Sequence, residues 1–260
     1  MMITKNTSPT PEIAKHFSSR SEVYDTHGTW VQDNSVLTSI SSFLPESPSS
    51  PIDIVDLGSG TGSVAKHILD RYSFCKSITA VDICEDMLSK IADTAIVKSV
   101  ASVDSLPYTD NSFDFAVSRQ CFHYVENLSE SIKELKRVIK SGGIFVLSQI
   151  VPLETEVKHY WSEVIRFRQP LRKHFFSESD WVKAFSDEDI LPLDVKRNSH
   201  RGSVMKWAKK YKIDDKTMID EYKRLLNKAP KQFIDEYSVT VDEQDVSYNS
   251  FWVTIKFQNE

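Results

Sequence analysis

The segment IDIVDLGSGTG, residues 52–62, limits what this chain can fold into more than any other stretch. An apolar run of strand length reaches Asp56, and glycine then recurs at 58, 60 and 62. A helical pattern follows in SVAKHILDRY, with Val64, Ala65, Ile68 and Leu69 on one side. Strand, glycine turn and helix in that order open a β-α-β unit and bring bare backbone against a ligand. The alternation continues. SITAVDI reads as a strand, CEDMLSKIAD as a helix with Met87, Leu88 and Ile91 inward, and AIVKSVAS and FDFAVSR as strands. LSESIKELKRVIK reads as a helix with Leu128, Ile132, Leu135 and Val138 inward, SGG as its stop, and IFVLSQIV as the next strand. Strands alternating with helices pair in parallel, which predicts an α/β doubly wound sheet.

The flanks read differently. Residues 1–50 predict an N-terminal helical cover, closed by the linker PESPSSP, and 51–151 the ligand-binding core. Residues 152–237 are aromatic and amphipathic, which predicts a helical lid carrying part of the sheet. SESDWVKAF has a serine cap before a short helix, and LPLDVKRNSH is a candidate strand. Residues 238–260 contain VSYNSFWVTIKF, alternating at period two, which predicts a final strand.

A net charge of -5 argues against a general nucleic-acid or membrane-surface binder. No apolar run approaches the ~18 residues of a membrane span, and the N-terminus lacks a signal-peptide core. The default expectation is a cytoplasmic protein with Cys75, Cys84 and Cys121 reduced. No zinc-ligand spacing or histidine cluster appears, so no metal is expected.

The glycine spacing is DxGxGxG. A dinucleotide fingerprint, GxGxxG, needs glycine at 63, where Ser63 stands, and the phosphate-cradling GxxxxGK[ST] is absent. Asp82 ends the next strand twenty residues after Gly62, where a carboxylate can accept from both ribose hydroxyls. That geometry serves NAD and S-adenosylmethionine alike. The leading acid, Asp56, and the third glycine's position tilt it toward S-adenosylmethionine. Asp104 follows the third strand, where a carboxylate can accept from an adenine amino group.

DLGSGTG, AVDICEDML, DSLPYTDNSFDFAVS and LKRVIKSGGIFVLS together resemble the class I S-adenosylmethionine-dependent methyltransferases. The similarity is to the small-molecule branch, which includes ubiquinone/menaquinone C-methyltransferases and malonyl-carrier-protein O-methyltransferases, and it covers roughly 50–150. It implies a Rossmann-like sheet of seven strands, mostly parallel with the last antiparallel, and release of S-adenosylhomocysteine. It places the backbone of Gly58, Ser59 and Gly60 against the methionine part of the cofactor. Asp82 would hold the ribose, with Ile83 and Met87 against the adenine, and Asp104 and Ser105 would read the adenine edge. Ser118 and Arg119 would lie near the methionine moiety and the transferred methyl. Tyr24, in FSSRSEVYDTHGTW, would close over the cofactor, and Arg20 is a candidate partner for its carboxylate.

Methyl transfer from a sulfonium is an in-line displacement, so the protein chiefly aligns the reactants. RQCFHYVEN begins at the carboxyl edge of the fourth strand, where open sheets bind ligands. His123 is a candidate base and Tyr124 its neighbour; Gln120 could orient the acceptor or touch the cofactor. His27 and Trp30 of the cover, and Tyr160 and Trp161 of the lid, are candidate walls for a small organic acceptor. The stretch KRNSHRGSVMKWAKKYK, 196–212, carries no acid. It keeps a carrier-protein-bound or RNA substrate open as an alternative, beside a non-catalytic cofactor-binding protein.

Overall fold

The computed structural model describes residues 12–25, 34–46, 48–210 and 216–260. Eight strands form one sheet: β1 (Ile52–Leu57), β2 (Cys75–Asp82), β3 (Ile96–Val100), β4 (Phe113–Arg119), β5 (Ile139–Val151), β6 (Ile190–Ser203), β7 (Thr240–Val241) and β8 (Val246–Asn259). Their order is β3-β2-β1-β4-β5-β8-β6, with the two-residue β7 pairing β8 off that path. The β3 to β5 half is parallel, and β8 runs antiparallel to both β5 and β6. The expected doubly wound sheet with an antiparallel last strand is what the chain forms.

Among the described residues ten helices flank it: α1 (Glu12–Ser18), α2 (Asn34–Ser41), α3 (Ser63–Leu69), α4 (Glu85–Leu88), α5 (Leu128–Val138), α6 (Lys158–Arg168), α7 (Glu178–Ser186), α8 (Val204–Lys210), α9 (Lys216–Asn227) and α10 (Lys231–Glu236). The pleat sends alternate strand residues into two cores. Ile54, Val146 and Ile150 pack with Val64, Ile68 and Trp161 on one face. Val55, Phe145 and Leu147 pack with Leu135, Trp181 and Phe185 on the other. Two-sided burial of a parallel sheet is why these strands read as unbroken apolar runs. The serine cap before α7 is Ser177, which forms a reciprocal capping box with Asp180.

Two expectations need correction. The helix expected over CEDMLSKIAD is the single turn α4, although Met87, Leu88 and Ile91 are buried as read. SGG does not stop α5. That helix ends at Val138, and Ile139 already pairs with Phe113 as the first residue of β5. The register then jumps to Phe115 opposite Ile144, so Gly142 and Gly143 sit in a bulge. Gly142 has φ +75°, and a Cβ on Gly143 would lie 2.8 Å from the Lys140 carbonyl oxygen. The basic stretch divides where the candidate strand LPLDVKRNSH, which is formed, gives way to α8. Its first half is β6, an outer strand of the sheet. There Lys196 and Arg197 bond Ser42 and Glu178, and Arg201 bonds Thr240 and the Ser238 carbonyl. Charge along an outer strand opposes edge-to-edge pairing.

Candidate active site

The glycine turn is built on the ends of β1 and β2. The N–H groups of Gly58 and Ser59 both donate to the Val81 carbonyl, at 2.8 and 2.9 Å. Asp56 is 1% exposed, and one carboxylate oxygen accepts from the Ser59 hydroxyl at 2.7 Å and from the Ala65 N–H at 3.2 Å. Asp56 thus ties the turn to the first turn of α3. Burial raises its pKa to about 6, against the pull of the Ser59 hydroxyl, the Arg119 guanidinium and the Ala65 N–H.

Asp82 secures the other side. Its two oxygens accept from the N–H groups of Gly60 and Cys84, each at 2.8 Å. Burial raises this carboxyl, and the N–H groups of Cys84, Gly60 and Ile83 offset part of the rise. A carboxylate offers about four acceptor positions, so acceptor capacity remains beyond these two bonds. Asp104 and Ser105 lie in the tight turn after β3, both exposed, with the Ser105 N–H on the Ser102 carbonyl.

The N-terminal cover lies over this edge. Phe17, Tyr24 and Ile83 pack around Ala14, Cys84 and Met87. Asp25 accepts from the Thr61 hydroxyl at 2.8 Å, while Ser18 bonds Asp86 and Lys90 bonds Glu22. The structure therefore brings Tyr24, Ile83 and Met87 together. Phe17, which the sequence reading did not single out, bridges Tyr24 and Tyr124, with ring centroids 6.2 and 5.5 Å away. Its helical spacing from Ala14 was the available signal. Arg20 precedes the short 3-10 turn Ser21–Val23, and burial, then the charge of Arg20, lowers the pKa of His16 to about 4. His27 and Trp30 fall outside the described residues.

At the carboxyl end of β4, the fully buried Ser118 hydroxyl donates to the Leu57 carbonyl at 2.8 Å, holding β4 to β1. Arg119 reaches across to the Ser63 hydroxyl. Gln120 then takes φ +57°, a left-handed backbone uncommon outside glycine. Its N–H donates to the Ser148 carbonyl at 3.0 Å, but both polar atoms of its side chain are buried without a partner. The next residue, Cys121, lies against the glycine turn. A Cβ on Gly58 would fall 2.3 Å from the Cys121 Cβ.

His123 is fully buried, and its Nδ1 lies 2.7 Å from Gln149 Oε1. An amide oxygen only accepts, so with this amide orientation Nδ1 carries the proton and Nε2 presents a lone pair. Nε2 has no partner. Burial, then the charge of Arg172, lowers the His123 pKa well below its ordinary value. Tyr124 packs on the His123 ring, centroids 4.1 Å apart. Gln149 was not read from sequence, although a glutamine inside the buried run IFVLSQIV was a visible anomaly.

The lid residues behave otherwise. Trp161 is fully buried in the α6 core, and the Tyr160 hydroxyl donates to the Leu225 carbonyl with its ring 5.0 Å from Phe233. Tyr160 fastens α6 to α9 and α10. A surface cavity of about 590 Å³ lies between Pro152, Val182 and Trp252, and none of its lining residues comes from the glycine turn or the β4 loop. Among the described residues no group of three His, Cys, Asp or Glu is placed to hold a metal, and no helix is long and apolar enough to cross a membrane.

Residues 55–147 match the family described as a methyltransferase domain. The chain is 24% identical over 205 residues to the uncharacterized methyltransferase YcgJ of Bacillus subtilis, covering 75% of this chain and 79% of that protein. The solved YcgJ structure superposes with a TM-score of 0.76 at 20% identity, over 88% of this chain and 98% of that one. Malonyl-(acyl-carrier protein) O-methyltransferase of Geobacter sulfurreducens is 31% identical over 118 residues, 44% of each chain. Of the other curated relatives compared, the chain spans 27% to 59% of their length. The (4+2)-cyclase SpnF shares the fold at a TM-score of 0.64 and 14% identity, over 97% of both chains. Fold alone therefore does not specify the reaction.

Proposed function

We propose that the chain is a class I S-adenosylmethionine-dependent methyltransferase that methylates a small organic acceptor at the carboxyl ends of β4 and β5. The observation that carries this reading is the pair of unpartnered buried groups there, the Gln120 amide and His123 Nε2. Buried polar atoms ordinarily find partners. Here they lie on the loop that packs against the glycine turn.

The residues present fit S-adenosylmethionine. Asp82 retains acceptor capacity for ribose hydroxyls, and the exposed Asp104 suits an adenine amino group. Ile83, Met87 and Tyr24 supply the apolar cover. When bound, this cosubstrate supplies a methyl group on a sulfonium. The chain supplies alignment and a dry site. Gln120 offers both a donor and an acceptor to position the acceptor molecule. His123 Nε2 accepts a proton from an acceptor oxygen or nitrogen, with Gln149 holding the ring.

A carrier-borne acceptor is the competing reading, supported by the name of the Geobacter relative. Against it, the described arginines of the basic stretch are already bonded within the fold. Turnover insensitive to salt between ~50 and ~300 mM fits the small acceptor; a steep fall fits the carrier.

Cofactor choice is tested first by melting the protein with S-adenosylmethionine, S-adenosylhomocysteine and NAD in parallel. The adenosyl ligands should raise the melting temperature and NAD should not. A shift with NAD alone defeats the proposal.

The base assignment predicts a pH profile. With its pKa lowered, His123 stays in the neutral, proton-accepting form as pH falls through its ordinary value. The wild-type rate should therefore show no acid limb between pH 8 and about 6.5. His123→Ala should lower kcat by roughly 100- to 10,000-fold. An acid limb centred near 7, or a variant with undiminished kcat, removes His123 from the role.

A further inference from the structure

A buried cation lies beside the β4 loop. Arg172 is 2% exposed and follows α6. It donates from Nε to the His174 carbonyl at 2.8 Å, from one terminal nitrogen to Gln169 Oε1 at 2.8 Å, and from the other to the Ile150 carbonyl at 3.0 Å. All three acceptors are neutral. The guanidinium lies over the rings of Trp161 and Phe175, 5.1 and 5.6 Å from their centroids. Among the described residues no carboxylate pairs with it, and burial lowers its pKa to about 9. Buried charges are ordinarily paired, because an unpaired one keeps its desolvation cost. A guanidinium has five N–H groups, so two remain beyond the three bonds given.

The surroundings are equally incomplete. The N–H groups of Lys173 and His174 both donate to the His123 carbonyl, at 2.8 and 3.2 Å, which lays this segment on the β4 loop. The Gln149 amide nitrogen is buried and has no partner. Gln149 is the neighbour of Ile150, whose carbonyl Arg172 holds. A cation with spare donors and a second unpartnered donor are therefore both held at the carboxyl end of β5, beside the β4 loop.

We propose that Arg172 and Gln149 anchor a carboxylate carried by the acceptor substrate. The inference rests on the reading that the acceptor occupies this end of the sheet. Charge balance selects a monoanion over a phosphate dianion. His123 and His174 are both held toward the neutral form by burial, and Lys173 is paired with Glu126. Arg166 overlies the same Phe175 ring at 4.5 Å but is exposed, so Arg172 is the buried positive charge here, and a second negative charge would stay uncompensated in the interior.

The test titrates the full chain, with and without S-adenosylhomocysteine, using matched probes: benzoate and benzamide, salicylate and salicylamide, butyrate and butyramide, and phenyl phosphate. Binding is read by calorimetry and by the fluorescence of Trp161, which the guanidinium overlies, with Trp161→Phe as the reporter control. At least one acid should bind about 10- to 100-fold tighter than its amide. That preference should shrink below about tenfold in Gln149→Leu and vanish in Arg172→Met. If Arg172→Met does not fold, Gln149→Leu and the wild-type acid-to-amide ratio decide. Acid preference without any binding of S-adenosylhomocysteine keeps the anchor and removes the methyl-transfer reading. Equal binding of acids and amides, preference for phenyl phosphate, or no binding by any probe overturns the anchor and leaves Arg172 as a staple between β5 and residues 169–174.

Discussion

Gly58→Ala should be among the most damaging single-methyl additions to this chain. The backbone at Gly58 has φ +70°, and an alanine Cβ would sit 2.3 Å from the Cys121 Cβ and 2.4 Å from its sulfur. The near atom is a Cβ fixed to the chain, so no side-chain rotation relieves the clash. A left-handed alanine costs roughly 1–2 kcal/mol, and overpacking adds about 1–3 kcal/mol. For a chain of this size the sum should lower the melting temperature by about 5–15 °C. Cys121→Gly in the Gly58→Ala background should recover the packing part and leave the backbone part. A melting temperature for Gly58→Ala within ~2 °C of wild type contradicts the close approach of the β4 loop to the glycine turn.

Asp82→Ala should weaken S-adenosylhomocysteine binding by about 100-fold or more in calorimetry, with folding checked by circular dichroism. Two effects add. The carboxylate acceptors for the ribose are lost, and hydrogen bonds to a charged group contribute about 1.5–3 kcal/mol each. The N–H groups of Gly60 and Cys84 also lose their acceptor, so the turn is no longer held in its binding shape. Asp82→Asn keeps one acceptor oxygen and should fall between wild type and alanine. Unchanged affinity in a folded Asp82→Ala protein removes the ribose assignment.

Both variants act at places that a sequence can reveal, because local constraints operate there. Strands buried on both faces must be apolar throughout, so β1, β4 and β5 were legible as runs. Left-handed backbone and close approach require glycine, so 58, 60 and 62 announced a turn. An acid at the end of β2 lies within one β-α-β unit of that turn, so Asp82 was legible by counting. Bulges were not legible. SGG reads equally as a helix stop or a strand irregularity, and the pairing of Ile139 with Phe113 decided it. The lid was not legible either. An aromatic such as Tyr160 looks the same in sequence whether it faces a ligand or, as here, bonds Leu225 across to α9.

By itself the sequence determined the parallel sheet, the glycine turn and the acids around it, since each follows from neighbours a few residues apart. The tertiary structure alone decided that His123 meets Gln149 and that, among the described residues, the Gln120 amide has no partner and Arg172 no counter-charge. Those three facts join residues tens of positions apart. The contacts depend on how β4, β5 and the segment after α6 pack, and no local pattern records a packing of distant segments.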